Sequence, residues 1–236
     1  MLNVLCACEE SQAVCIAFRE LGHNAFSCDI QPCSGGHPEW HIQGDVLELI
    51  EPVTKYDWNE YITFETLDGE EHWIEGNWDL IIAFPPCTYL TKAGAVRMRV
   101  NGQIQEERYQ KMLDGRNFFL SLLNCGCPHV AVENPTPLAL AALPPYDQAI
   151  EPWMFGHPYK KRTCLWLRGL PPLMPTLLIY DDLVPWVNGG LGNGRKCQGQ
   201  HRSQKMRSKT FPGIAAAMAA QWSDYIESRK NVGCFN

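Results

Sequence analysis

The sequence predicts one α/β domain built on a doubly wound, mostly parallel sheet. Three observations predict it. Apolar runs of strand length alternate with helical periodicities along most of the chain. Two of those runs, residues 2–8 and 78–84, are nearly unbroken, as in strands buried on both faces. Acidic residues, Asp29 and Asp45, stand at successive strand ends, where such sheets bind the polar parts of a nucleotide-like ligand. With 236 residues, 45% of them hydrophobic and 19% charged, the chain has core enough for one such domain and too little for two large ones. Wholesale disorder is excluded by the same composition.

The elements follow in order. Residues 2–8 read as a strand, Glu9-Glu10-Ser11 as a turn, and Val14, Ala17, Phe18 and Leu21 as one face of a helix that Gly22 ends. Asn24-Ala25-Phe26-Ser27-Cys28-Asp29 predicts a second strand, and His41-Ile42-Gln43 a third that stops at Gly44-Asp45. Residues 61–74 alternate weakly about Leu67-Asp68-Gly69-Glu70, which predicts a β-hairpin within an acidic insertion spanning 53–77. Trp78-Asp79-Leu80-Ile81-Ile82-Ala83-Phe84 predicts a central strand stopped by Pro85-Pro86. After a loop, Met112, Gly115, Phe119, Leu122 and Leu123 mark a helix from about residue 104 to 123. A fifth strand, Val130-Ala131-Val132, ends in Glu133-Asn134-Pro135, and Thr163-Cys164-Leu165-Trp166-Leu167 is a further strand. Ala215, Met218, Ala219, Trp222 and Ile226 mark a closing helix.

No stretch reaches the roughly 18 consecutive apolar residues of a membrane span, and Met1-Leu2-Asn3 opens without a charged leader, so a soluble, cytoplasmic protein with no membrane partner is expected. The 11 cysteines are odd in number and scattered, which favours reduced thiols over a disulfide scaffold. Cys28, Cys33, His37 and His41 have spacings zinc accepts, but no pair has C-x-x-C spacing and no metal is expected. Net charge is -6, unevenly spread: eleven acids and one Lys55 lie between Asp45 and Asp79, while Arg195, Lys196, His201, Arg202, Lys205, Arg207 and Lys209 form a run without an acid. Lys92, Arg97 and Arg99, and Lys160, Lys161, Arg162 and Arg168, are smaller basic segments. Converging, these make a face for phosphate; apart, they are solvated loops.

Two strand ends carry the candidate chemistry. Cys87 follows Phe84-Pro85-Pro86 at the end of one buried strand, and Glu133 ends the next. A thiol and a carboxylate in the crevice beyond a parallel sheet suggest covalent catalysis assisted by an acid. The alternative for Cys87 is a buried structural thiol.

Pro85-Pro86-Cys87 followed by Glu133-Asn134-Pro135 resembles the catalytic loop and Glu-Asn motif of the cytosine-C5 DNA methyltransferases, in particular small phage- and prophage-type members that open with a Cys-Glu-Glu-Ser loop. The resemblance spans nearly the whole chain in outline and implies a class I, Rossmann-like fold using S-adenosyl-L-methionine. It implies cofactor contacts from Cys8, Ser11, Gln12, Asp29, Ile30, Asp45 and Pro85, and substrate contacts from Pro86, Thr88, Asn134, Lys161, Arg162 and Arg207. Cys87 would add to C6 of cytosine, making C5 nucleophilic, while Glu133 hydrogen-bonds the N3 and N4 edge. In duplex DNA the base must first be extruded.

The sequence departs from the family in three places. The first loop reads Cys8-Glu9-Glu10-Ser11-Gln12 instead of carrying several glycines, so cofactor binding would use amides at the helix N-terminus with Ser11 as cap. Tyr159-Lys160-Lys161-Arg162-Thr163 stands for a Gln-x-Arg-x-Arg strand, putting Thr163 at the second arginine. Residues 169–205, rich in Pro, Gly and basic residues, replace a separate target-recognition domain, and weak base readout follows. The partner is accordingly DNA or a pyrimidine nucleotide. The same chemistry on a free nucleotide or RNA, and a catalytically silent cofactor- or nucleic-acid-binding protein, are the alternatives.

Overall fold

The computed structural model describes residues 1–50, 61–91, 98–186, 206 and 208–233, with side chains as far as 230. Strand β1 (Asn3–Ala7), helix α1 (Ala13–Glu20), β2 (Asn24–Asp29) and β3 (His41–Gln43) build one half of a sheet. A short helix α2 (Leu47–Ile50) and an antiparallel hairpin, β4 (Tyr61–Glu65) with β5 (Glu71–Glu75), precede the central strand β6 (Leu80–Ala83). A small hairpin, β7 (Arg99–Val100) with β8 (Gln103–Ile104), leads into α3 (Glu106–Leu123). Then come β9 (Val130–Pro135), β10 (Gln148–Ile150), β11 (Tyr159–Lys160), β12 (Thr163–Arg168), β13 (Val184–Pro185) and α4 (Pro212–Gly233).

Seven strands form one sheet in the order β10-β12-β9-β6-β1-β2-β3. Neighbours from β9 to β3 are parallel, and β12 runs antiparallel to both β9 and β10. This is the doubly wound, mostly parallel sheet of a Rossmann-like fold. The period-2 alternation of strands splits the core in two. Leu5, Ala7, Ile81, Ala83, Val130, Val132 and Trp166 face α3, α2 and the β4–β5 hairpin, through Met112, Phe119, Leu49, Ile62, Phe64 and Ile74. Val4, Cys6, Leu80, Ile82, Ala131 and Leu165 face α1 and α4, through Val14, Phe18, Ile214, Met218, Trp222 and Ile226. Burial on both faces is why the parallel strands read as apolar runs.

Several elements differ from the sequence expectation. The helix expected from about residue 104 begins at Glu106, because residues 99–104 pair as a hairpin around Asn101 and Gly102, both at positive φ. Strand β9 continues through Glu133-Asn134-Pro135, since β12 pairs with it along its whole length. Strand β10, unanticipated, adds an edge beyond β12. Among the described residues no helix is long and apolar enough to cross a membrane.

Candidate active site

The first loop is organised by Glu9. Beyond β1 the chain turns at Cys8, in the left-handed region with φ 58, and the Glu9 amide then donates to the Cys28 carbonyl at 3.1 Å. The Glu9 carboxylate accepts the amides of Val14 (2.7 Å) and Cys15 (3.1 Å) in the first turn of α1. The expected Ser11 cap is therefore corrected: Gln12 is the N-cap residue, with φ 59 and no capping side-chain bond, and Glu9 satisfies the orphan donors. Glu9 is 4% exposed, and burial pushes its carboxyl up to about 7 despite those two amides.

Gln12 braces the neighbouring loop. Its Nε2 donates to the His37 carbonyl (2.8 Å) and Ser27 Oγ (3.3 Å), and its Oε1 accepts the His37 amide (3.1 Å). Gly35 fits against it so closely that a Cβ there would lie 2.6 Å from the Gln12 Cβ. His41 Nε2 donates to the Gln31 carbonyl (2.8 Å), its burial favours the neutral ring, and its Nδ1 lies 2.9 Å from Ser27 Oγ. His37 stacks on Trp40 with centroids 3.9 Å apart. These contacts engage His37 and His41, two of the four residues whose spacing suited zinc, and among the described residues no three His, Cys, Asp or Glu side chains group as metal ligands.

Strand ends β1, β2 and β3 gather Cys8, Asp29 and Asp45. Burial pushes the Cys8 thiol well up, and the charges of Asp29 and Asp45 add to it, so the three share one neighbourhood. Asp29 Oδ1 accepts the Gln31 amide (2.9 Å), Asp45 Oδ1 the Leu47 amide (3.0 Å), and Ile30 between them is 77% exposed. The strand order reverses between β1 and β6, and there the Phe84 amide donates to the Ala7 carbonyl at 2.9 Å. Such a reversal opens the crevice in which doubly wound sheets bind ligands.

The second strand-end pair lies beside it. Ala83 of β6 is in register with Val132 of β9, which sets Phe84 next to Glu133. Asn134, fully buried, donates from Nδ2 to the carbonyl of the buried Pro85 at 3.4 Å. Residues 85–91 are further held by Leu90 N to Cys87 O (3.1 Å), Leu138 N to Leu90 O (2.7 Å) and a bridge between Thr91 and Pro137. On that loop Cys87 is half-buried and reduced, and Pro86 and Thr88 are exposed. Glu133 opens onto a small cleft lined by Phe84, Lys161, Thr163, Thr210, Phe211, Ile214 and Met218. Its volume, about 10 Å³, is room for about one water. Burial raises the Glu133 carboxyl, against the pull of the Lys161 ammonium and the Thr163 hydroxyl.

Lys161 and Arg162 part company, as alternate residues of an extended segment do. Lys161 Nζ approaches the Lys209 carbonyl (3.4 Å) and the Phe211 ring (6.0 Å), within the cleft, whereas Arg162 donates to the Tyr146 hydroxyl (3.1 Å) at the surface. Arg207, like most of the basic run from Arg195, lies outside the described residues. Glu9, Thr163, Phe84 and Phe211 were not foreseen as site residues. Only Glu9 had a signal, an acid just ahead of a helix start.

No protein-family model matches the chain, and no curated protein matches it. Among solved structures it is similar to a protein encoded within an E. coli prophage and assigned as a DNA modification methyltransferase, at 14% identity over 76% of this chain and 52% of that one, with a TM-score of 0.40. It is also similar to the S. pombe Dnmt2 methyltransferase, at 16% identity over 73% of this chain and 50% of that one, with a TM-score of 0.36. The chain spans about half the length of these two structures. The fold rests on the strand order described above and not on these matches.

Proposed function

We propose that the chain is an S-adenosylmethionine-dependent methyltransferase that methylates C5 of cytosine in DNA through a covalent Cys87–C6 adduct. The observation that carries the reading is the register of β6 with β9, which sets Glu133 of β9 beside Phe84, at the start of the loop that carries Cys87. The donor set suits the cofactor: Asp29 and Asp45 offer acceptors for hydroxyl and amino groups, Ile30 an exposed apolar surface for a heteroaromatic ring, and the two carboxylates favour a cationic sulfonium. When bound, the cofactor supplies the electrophilic methyl group that C5 accepts.

The rest is work for the chain's own side chains. Cys87, as thiolate, forms a bond to C6 and pushes electron density onto C5 and the N3 side of the ring. Glu133 hydrogen-bonds that edge, and its raised proton affinity fits it to carry the proton that stabilises developing charge there. Loss of the C5 proton to a base then expels Cys87 and restores the ring. Pro86 and Thr88 shape the loop over the base, Asn134 ties that loop to β9, and Lys161 keeps a cation in the cleft. Arg162 and Arg207 belong to the phosphate-facing part of this reading.

A second reading keeps the chemistry and changes the substrate to RNA or a free pyrimidine nucleotide. It is favoured by residues 173–179, which are hydrogen-bonded to Met154, Trp153, Gln148 and Gln221 and so pack on the main domain. Label transfer from methyl-labelled S-adenosylmethionine to duplex DNA, single-stranded DNA, RNA and dCMP separates the two readings. Cys87→Ser is expected to abolish transfer and trapping by 5-fluorocytosine DNA while cofactor affinity stays within about twofold. Full activity of that variant would remove Cys87 from the mechanism; no transfer to any substrate would leave a binding protein.

A further inference from the structure

We infer that Thr163 is a positioning residue for Glu133, its hydroxyl fixing the direction in which the carboxyl meets a bound ring; the inference rests on the reaction proposed above. In the β9–β12 ladder Leu165 stands opposite Glu133, so Thr163, two residues along, projects from the same face of the sheet. Both side chains line the same cleft, where the hydroxyl favours the ionised form of the Glu133 carboxyl. Thr163 is 5% exposed, which leaves its hydroxyl little water to turn to. Its Oγ1 donates to the Lys161 carbonyl at 3.4 Å, longer than a good O–H···O bond and weak enough to let the hydroxyl turn to Glu133.

Among the described residues two other titratable groups sense Glu133. Lys161 pulls on the carboxyl electrostatically, but its ammonium sits on a flexible stem also drawn to the Lys209 carbonyl and the Phe211 face, so it supplies charge without direction. Cys164, adjacent on β12, has its thiol raised by burial and, to a lesser degree, by the Glu133 charge, and it turns to the opposite face towards Thr136. Thr163 differs from both. It is β-branched within a strand, which restricts its χ1, so its short hydroxyl is a fixed donor. A neutral donor there orients the carboxyl without neutralising it, and Glu133 keeps the capacity to hold a proton against N3 of the ring.

The test uses the full chain as wild type, Thr163→Val and Thr163→Ser. The ionisation of Glu133 is followed by carboxyl-carbon NMR, its signal identified by loss in Glu133→Gln, and methyl transfer is measured in parallel. A hydroxyl that donates to the ionised carboxyl favours that form, so Thr163→Val is expected to move the Glu133 midpoint to higher pH. It is also expected to lower kcat about tenfold, with KM for the cofactor nearly unchanged. Thr163→Ser, which keeps the donor, restores both. An unmoved midpoint in Thr163→Val, or a Thr163→Ser as impaired as Thr163→Val, overturns the inference. If the wild type transfers no methyl group, the proposed reaction fails, while the NMR midpoints still decide what Thr163 does to Glu133.

Discussion

Glu9 holds a carboxylate inside the core at the first turn of α1, and two forces compete there. The amides of Val14 and Cys15 favour its charge, yet burial wins and the group ionises near 7 instead of its ordinary 4.5. Between those values the folded chain binds a proton that the unfolded chain has released. Stability therefore falls as pH rises through that window and levels off above it, by on the order of 3 kcal/mol in all. Glu9→Gln removes the titration, so its stability is expected to exceed that of wild type at pH 8 and to lose the advantage by pH 5, as read from urea melts at both. His41 and His157, whose burial favours the neutral ring, slope the other way, and comparing the two chains cancels them. Parallel curves would show that Glu9 does not titrate in this range.

Helix α4 closes the site from one side, and its first turn depends on a glycine. The Gly213 amide donates to His157 Nε2 at 3.0 Å, and a Cβ on Gly213 would lie 2.0 Å from the Phe155 carbonyl oxygen. In an open helix, glycine to alanine stabilises by about 1 kcal/mol. Here the backbone oxygen cannot yield as a flexible side chain would, and overpacking of this kind costs about 1–3 kcal/mol. Gly213→Ala is accordingly expected to destabilise and to displace Thr210 and Phe211 at the cleft, seen as a lower Tm with weakened tryptophan packing at Trp186, which contacts Phe211; an unchanged or raised Tm would mean the helix start is loosely docked. At this scale the sequence was legible where one physical signal dominated. Strands β1, β2, β6 and β9 are buried on both faces and therefore apolar, and α4 carries its apolar face at helical spacing. It was less legible where partners set the structure: β10 is three residues long and exists through pairing with β12. The β7–β8 hairpin had its signal in plain view, Asn101-Gly102, but between strands only two residues long. The α1 cap was sought at the nearest hydroxyl, Ser11, whereas the left-handed turn at Cys8 delivers Glu9 instead. Cys87 was legible as a residue just past the end of β6, whereas Glu133 lies within β9 because β12 pairs beyond it; Thr163 had no signal, because its place depends on the β9–β12 register.

Over the whole molecule the net charge of -6 opposes binding to a polyanion, so the distribution of charge decides. The β4–β5 hairpin buries Ile62, Phe64 and Ile74 against the sheet, with Phe64 packed on Phe26 and Trp78, and turns Glu65, Glu71 and Glu75 outward. Repulsion from exposed carboxylates fades over about 8–10 Å at physiological salt, so acids on a peripheral hairpin do little to a phosphate bound elsewhere. Cations in contact with phosphates act directly, and each contact adds about 0.9 to the slope of log K against log salt on duplex DNA. Neutralising Arg202, Lys205 and Arg207 together is thus expected to lower that slope by up to about 3, measured by fluorescence anisotropy of a labelled duplex over a salt series. Neutralising Glu65, Glu71 and Glu75 to Gln is expected to leave the slope unchanged. If the basic triple variant binds with the wild-type slope, its charges do not touch phosphate, and a single nucleotide becomes the better substrate. If the acidic triple variant changes the slope, the hairpin lies beside the nucleic acid rather than away from it.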